Sequence, residues 1–138
     1  MTAEKKMTAD QSPDANGPTV LIVEDDVRIA NVVAEVAEAL GLNPLLAASL
    51  SEAKAMLEGV TPDIILADVD LAPDGGGGFE LLGHCLATSP PFGGTFVFVT
   101  GYEAAAIQAE AEARFGVTPS VLSKPFTVRE FSRAVFPR

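Results

Sequence analysis

Four apolar runs in this chain each stop at a group able to do chemistry. Val20-Leu21-Ile22-Val23 runs into Glu24-Asp25-Asp26, Ile64-Ile65-Leu66-Ala67 into Asp68, Phe96-Val97-Phe98-Val99 into Thr100-Gly101, and a shorter segment through Val121-Leu122-Ser123 into Lys124-Pro125-Phe126. Were the runs parallel strands, all four polar ends would lie on one edge of one sheet, where open α/β sheets hold their sites. Glu24, Asp25 and Asp68 would then be close neighbours, and like charges at such range oppose joint ionisation unless a cation neutralises them. A hard divalent ion such as Mg²⁺ suits an all-oxygen ligand set. Lys124 adds a positive charge and Thr100 a hydroxyl donor, a pair suited to the equatorial oxygens of a transferring phosphoryl group, with Asp68 as the nucleophile that becomes an acyl phosphate.

Each of these residues has a plainer reading alone: acids cap helices, threonines end strands and a lysine near a helix start is solvated. Their shared position at the ends of successive strands outweighs it. No cysteine or histidine at metal-ligand spacing offers a rival site. His84, the single histidine, reads as a surface or packing residue on a helix.

The elements that must position these groups alternate. Strands are expected at 19–23, 43–48, 63–67, 95–99 and about 118–122. Helices are expected from the Asp26 cap through Leu40 to the Gly41 stop, at about 51–58 with Ser49 or Ser51 as cap, at 79–88, at 102–115 closed by Gly116, and at 128–135. In the first helix Ile29, Val32, Val33, Val36, Ala37 and Leu40 recur at helical spacing, and in the second Ala53, Met56 and Leu57 are expected to face inward. Alternation implies right-handed crossovers with helices on both sides of the sheet. Five such units favour a flavodoxin-like (βα)5 doubly wound parallel sheet in the order 2-1-3-4-5, whose switch point falls beside Asp25 and Asp68. The loop Ala72-Pro73-Asp74-Gly75-Gly76-Gly77-Gly78 reads as a connector with unusual backbone freedom. It lacks the Gly-Lys-Ser/Thr ending of a phosphate-binding loop.

Length and charge narrow the function. The 138 residues suit one domain with its own core. A polar stretch at 1–18 without an apolar period reads as a flexible N-terminal tail, leaving 19–138 as the folded domain. The one cysteine, Cys85, cannot form an internal bridge, so the cytoplasm is the expected location. Nineteen acidic against nine basic residues give a net charge of −10, which opposes binding to nucleic acid or to an anionic membrane surface. No signal peptide or membrane-spanning run is present in the sequence. A protein partner or a cation is the expected ligand.

Together, Val23-Glu24-Asp25-Asp26, Pro62-Asp63 with Asp68 after four further residues, Thr100-Gly101 and Ser123-Lys124-Pro125-Phe126 resemble, in order, the motifs of the receiver domain of two-component response regulators (CheY-like). The resemblance spans roughly Pro18 to the C-terminus. It implies Asp68 as phosphoacceptor, Asp25 as a direct Mg²⁺ ligand, Glu24 as an acidic neighbour acting on the ion, the main-chain carbonyl of Asp70 as a further ligand, Thr100 as the switch hydroxyl and Lys124 as the phosphate-contacting lysine. It also implies a cis bond between Lys124 and Pro125. Receivers usually carry an aromatic three residues before that lysine, where this chain has Val121. Tyr102 is a candidate replacement, within a Phe98-Val99-Thr100-Gly101-Tyr102 run similar to the Thr-Gly-Tyr subgroup of single-domain receivers of alphaproteobacteria. The plainer reading has Tyr102 merely starting the fourth helix.

The implied function is a stand-alone receiver that takes a phosphoryl group from a histidine kinase or histidine phosphotransfer protein and signals by protein contact. It would be no enzyme beyond its own phosphorylation and dephosphorylation. Its contact face would be the fourth helix, fifth strand and fifth helix. Two alternatives stand beside it. Asp68-Val69-Asp70 with Thr100 and Lys124 echoes the haloacid-dehalogenase phosphatases, but in that family the Asp-x-Asp strand comes first. A degenerate receiver would bind partners without being phosphorylated.

Overall fold

A computed structural model describes residues 17–71 and 77–136. The expected tail lies outside the described residues except for Gly17 and Pro18, and so do residues 72–76 of the glycine-containing loop. The elements run β1 (Thr19–Val23), α1 (Val27–Ala39), β2 (Asn43–Ala47), α2 (Leu50–Leu57), β3 (Ile64–Asp68), α3 (Gly78–Ala87), β4 (Thr95–Thr100), α4 (Ala104–Phe115), β5 (Ser120–Ser123) and α5 (Val128–Val135). All the strand pairs are parallel, in the order β2-β1-β3-β4-β5. This is the flavodoxin-like arrangement expected from the sequence.

The sheet is buried on both faces because alternate strand residues supply two separate cores. Leu21, Val23, Ile65, Ala67, Phe96 and Phe98 pack under α2, α3 and α4 through residues such as Ala53, Leu81, Cys85 and Ile107. Val20, Ile22, Ile64, Leu66, Val97 and Leu122 pack under α1 and α5 through Val33, Ala37, Phe131 and Val135. A strand apolar on both sides reads as an unbroken run, which explains why four residues in a row are hydrophobic in the central strands.

Local signals set the helix ends. The Asp26 carboxylate accepts from the Arg28 and Ile29 N–H groups, Ser49 caps α2, and Thr127 and Glu130 form a reciprocal capping box on α5. Gly41 and Gly116 sit at φ +86° and +73° beyond α1 and α4, a left-handed turn that strains any side chain. Among the described residues, cis peptide bonds precede proline at Ser89–Pro90 and at Lys124–Pro125, the second as the family resemblance implied.

Several boundaries differ from expectation, each for a hydrogen-bonding or packing reason. Asp68 and Thr100 are the last residues of their strands rather than the first beyond them, because the ladder carries on to pair Asp68 with Val99 and Thr100 with Ser123. β5 correspondingly runs two positions later at its start than expected. β2 stops at Ala47 because the Glu52 carboxylate takes the Ala48 N–H. α4 begins at Ala104, not Tyr102: the Tyr102 N–H is held by the Thr100 hydroxyl, and Glu103 is the cap. Gly77 and Gly78 are not loop freedom. A Cβ on Gly77 would lie 1.8 Å from the Val69 carbonyl oxygen, and one on Gly78 would lie 2.9 Å from the Phe98 ring, so both glycines let the start of α3 press onto β3 and β4. On α1 the sheet-facing side is Ala30, Val33 and Ala37, whereas Val32 is 60% exposed and Ile29 38%. The apolar stripe is wider than the contact with the sheet.

Phe98 is fully buried and touches Phe79 and Phe96 at ring-centroid distances of 4.8 and 5.2 Å. Phe98→Ala is expected to cost about 3–5 kcal/mol through the cavity it leaves, read as a lowered urea midpoint with an unchanged slope.

Candidate phosphoryl-accepting acidic site

Register brings the strand ends together. Val23 pairs with Ala67, Asp68 with Val99, and Thr100 with Ser123, so Glu24, Asp68, Thr100 and Lys124 follow one another across the C-terminal edge of the sheet. The backbone continues the alignment: the Lys124 N–H donates to the Thr100 carbonyl at 2.8 Å, and the Val69 N–H to the Val99 carbonyl at 3.1 Å. Carboxylate oxygens of Glu24, Asp25 and Asp68 lie within 4.8 Å of one another.

Lys124 reaches into this cluster. Its Nζ lies 3.0 Å from Asp68 Oδ2 and 3.5 Å from Glu24 Oε1. Asp68 Oδ1 accepts from the Asp70 N–H at 3.2 Å, and Glu24 Oε2 accepts from the Asp26 N–H at 3.1 Å. Burial is the main cause that pushes the Glu24 carboxyl up to about 7. The Asp68 charge adds to the rise, and the Asp26 N–H and the Lys124 charge oppose it. Burial alone would lower the Lys124 ammonium, yet hydrogen bonding and attraction to Asp68, with help from Glu24, leave it raised. One lysine facing three carboxylates leaves the pocket short of positive charge, and the hard oxygen donors of Glu24, Asp25 and Asp68 fit a divalent cation.

The remaining candidates are placed less uniformly. Thr100 is buried, and its Oγ1 accepts the Tyr102 N–H at 2.9 Å, which leaves the hydroxyl hydrogen free to donate elsewhere. Gly101 is exposed, with nothing within 4 Å of where a Cβ would sit, so the approach past Thr100 is open. Asp70 is outside the carboxylate cluster; its side chain faces the Tyr102 hydroxyl, whose pKa is raised by that carboxylate. Tyr102 is 59% exposed rather than packed into the site. Val121 is half-buried against the core beneath α4, in the position where an aromatic was expected. His84 lies half-buried near the end of α3, lining a separate cavity with Pro62, Pro90 and Phe92. Sequence reasoning missed Gly78, whose Cβ would lie 3.0 Å from the Asp68 carbonyl oxygen; a glycine run suggests mobility and carries no mark of close packing.

Fold and site together define a doubly wound α/β protein with an acidic pocket and one lysine at its switch point. The family model of the response regulator receiver domain matches residues 20–136. The chain belongs to that family, the phosphorylatable receivers of two-component signalling, whose members bind Mg²⁺ at an acidic pocket. Among solved structures, it is similar to a CheY-like receiver domain from Methanospirillum hungatei JF-1, with 29% identity over 84% of this chain and 88% of that one and a TM-score of 0.68. The CheY-like receiver domain from Methylobacillus flagellatus is 24% identical, over 84% and 93%, with a TM-score of 0.71. The fold of the chemotaxis response regulator CheY4 of Vibrio cholerae matches at a TM-score of 0.75, with 23% identity over 86% and 95%. No curated protein sequence matches the chain. Among the described residues, no helix is long and apolar enough to cross a membrane.

The Glu24 shift has a definite sign. Its folded-state value of about 7 stands above the ordinary carboxylate value of 4.5, so the protonated form is favoured by folding. Without divalent cation, stability is full below the unfolded value and falls as pH rises toward the folded one. Thermal melts in EDTA are expected to drop from pH 5 to pH 7, and Glu24→Gln should flatten that slope. An unchanged slope in the variant would contradict the assignment.

Proposed function

We propose that residues 19–138 form a receiver that accepts a phosphoryl group on Asp68 in a Mg²⁺-dependent reaction and signals through protein contact. The observation that carries this reading is Lys124 bridging Asp68 and Glu24 beside Asp25 at the strand ends. Glu24, Asp25, Asp68 and the main-chain carbonyl of Asp70 would hold the cation. When bound, Mg²⁺ supplies charge neutralisation for the carboxylates and for the equatorial oxygens of the incoming group.

The chain's own residues account for the rest. An Asp68 carboxylate oxygen attacks the phosphorus of a phosphorylated imidazole. The new oxygen–phosphorus bond forms as the phosphorus–nitrogen bond breaks, and the imidazole nitrogen leaves with the electron pair and is protonated. Lys124 moves from pairing the carboxylate to pairing a phosphoryl oxygen. The Thr100 hydroxyl, with its hydrogen uncommitted, donates to another. Gly101 leaves room for the donor. Tyr102, tied through its N–H to the Thr100 oxygen, is the aromatic that would report the change in place of Val121.

The donor is a histidine kinase or histidine phosphotransfer protein in the cytoplasm, not nucleic acid. Val27 and Val32 on α1 are 65% and 60% exposed, and α1 begins immediately after the acidic triplet. Exposed apolar side chains beside a reacting carboxylate suit the docking of a helical partner.

Intact mass after incubation with Mg²⁺ and acetyl phosphate tests the reading. One phosphate adduct, labile to hydroxylamine and absent from Asp68→Asn, is expected. No adduct would turn the reading toward a partner-binding receiver without phosphorylation, and many turnovers of a phosphomonoester toward a phosphatase. Val32→Glu is expected to slow transfer from a phosphorylated phosphotransfer protein by about tenfold, while leaving the rate with acetyl phosphate unchanged.

A further inference from the structure

A groove of about 540 Å³ runs between the start of α3 and the face of α4, beginning beside the acidic site. Val69, Phe79 and Ile107, all nearly buried, line it, while Asp70, Glu80 and Glu110 on its rim are exposed. One end is already filled in an instructive way. The Arg114 guanidinium lies 5.1 Å from the centroid of Phe79 and 5.3 Å from that of Phe115, and its Nη1 sits 3.1 Å from Glu110 Oε2. The chain thus seats one of its own cations on an aromatic floor beside a carboxylate.

The other end repeats the chemistry without the cation. Asp70 and Glu80 line it together with Val69 and Phe79; the Asp70 carboxylate faces the neutral Tyr102 hydroxyl, and among the described residues neither acid forms a salt bridge with a lysine or arginine. We propose that this groove docks a basic amphipathic segment of a partner protein, with a guanidinium or ammonium between Asp70 and Glu80 and its aliphatic stem along Val69 and Ile107, beside the Phe79 ring that Arg114 already covers. The amphipathic character follows from the lining: a charged rim alone would hold any cation, but the apolar floor rewards a long hydrocarbon stem or a neighbouring leucine. The net charge of −10 steers such a segment toward the protein in general. The floor and rim fix where it lands. This surface is distinct from the exposed apolar residues of α1 and needs no phosphoryl group, so its failure would leave the reading of Asp68 untouched.

The probe is a 12-residue helical peptide of arginine and leucine, titrated into the full chain and followed by ¹H–¹⁵N spectra, with a glutamate–leucine peptide as counterpart. Saturable shifts concentrated at Phe79, Glu80, Tyr102 and Ile107 are expected with the basic peptide only. Glu80→Lys, at an exposed position, should weaken binding by about tenfold. Glu35→Lys on exposed α1 makes the same change in net charge and should leave it within about twofold. Equal losses in the two variants would overturn the proposal, because net charge alone would then explain the binding. Shifts centred on α1, or none that saturate, would also overturn it, and so would spermidine binding as tightly as the peptide.

Discussion

The structure turns on an electrostatic constraint: a glutamate carboxylate, Glu24, is held almost out of water next to two aspartates. In water these groups would simply ionise and move apart. The strand ends prevent that, since β1, β3 and β4 are locked in register by ladders buried on both faces. Lys124 relieves part of the repulsion, and burial, which pushes the Glu24 carboxyl up to about 7, favours the neutral form that would relieve more. A site that is short of positive charge and cannot relax has a donor set that suits a divalent cation.

The rest of the molecule keeps that edge rigid on one side and adaptable on the other. Two cores, one under each set of helices, fix the strands. Gly77 and Gly78 let α3 start directly against the carbonyls of Val69 and Asp68, so even the beginning of that helix is braced on the site. The Thr100 side is different. Its hydroxyl holds only a backbone N–H, that of an exposed tyrosine outside any helix. Val121 stands where an inward aromatic was expected, and the exposed Tyr102 beside Thr100 lines the α3–α4 groove.

The fold was legible because burial on two faces writes itself into sequence as unbroken apolar runs, and Asp26, Thr127, Gly41 and Gly116 mark helix ends by local hydrogen bonding and backbone conformation. The same logic made Glu24, Asp25, Asp68, Thr100 and Lys124 readable as one group, since each closes or follows a strand. It failed where the deciding contact is remote in sequence. Sequence pattern places the start of α4 two residues early because Tyr102 has helical company on one side only, and nothing local reveals that the Thr100 hydroxyl claims its N–H. Val32 belongs to the apolar stripe of α1 yet is 60% exposed, because periodicity reports which side of a helix is apolar, not how far the neighbouring sheet extends.

What the sequence alone determined is therefore the order of elements, the strand order and the identity of the charged groups at the sheet's edge, all of them consequences of local pattern and of the handedness of βα crossovers. Tertiary structure decided how those groups meet: that Lys124 bridges Asp68 and Glu24, that Asp70 turns toward Tyr102 and away from the cluster, and that two glycines are close-packed. Distances between side chains from segments far apart in the chain depend on register and packing, and neither is encoded in any single stretch of residues.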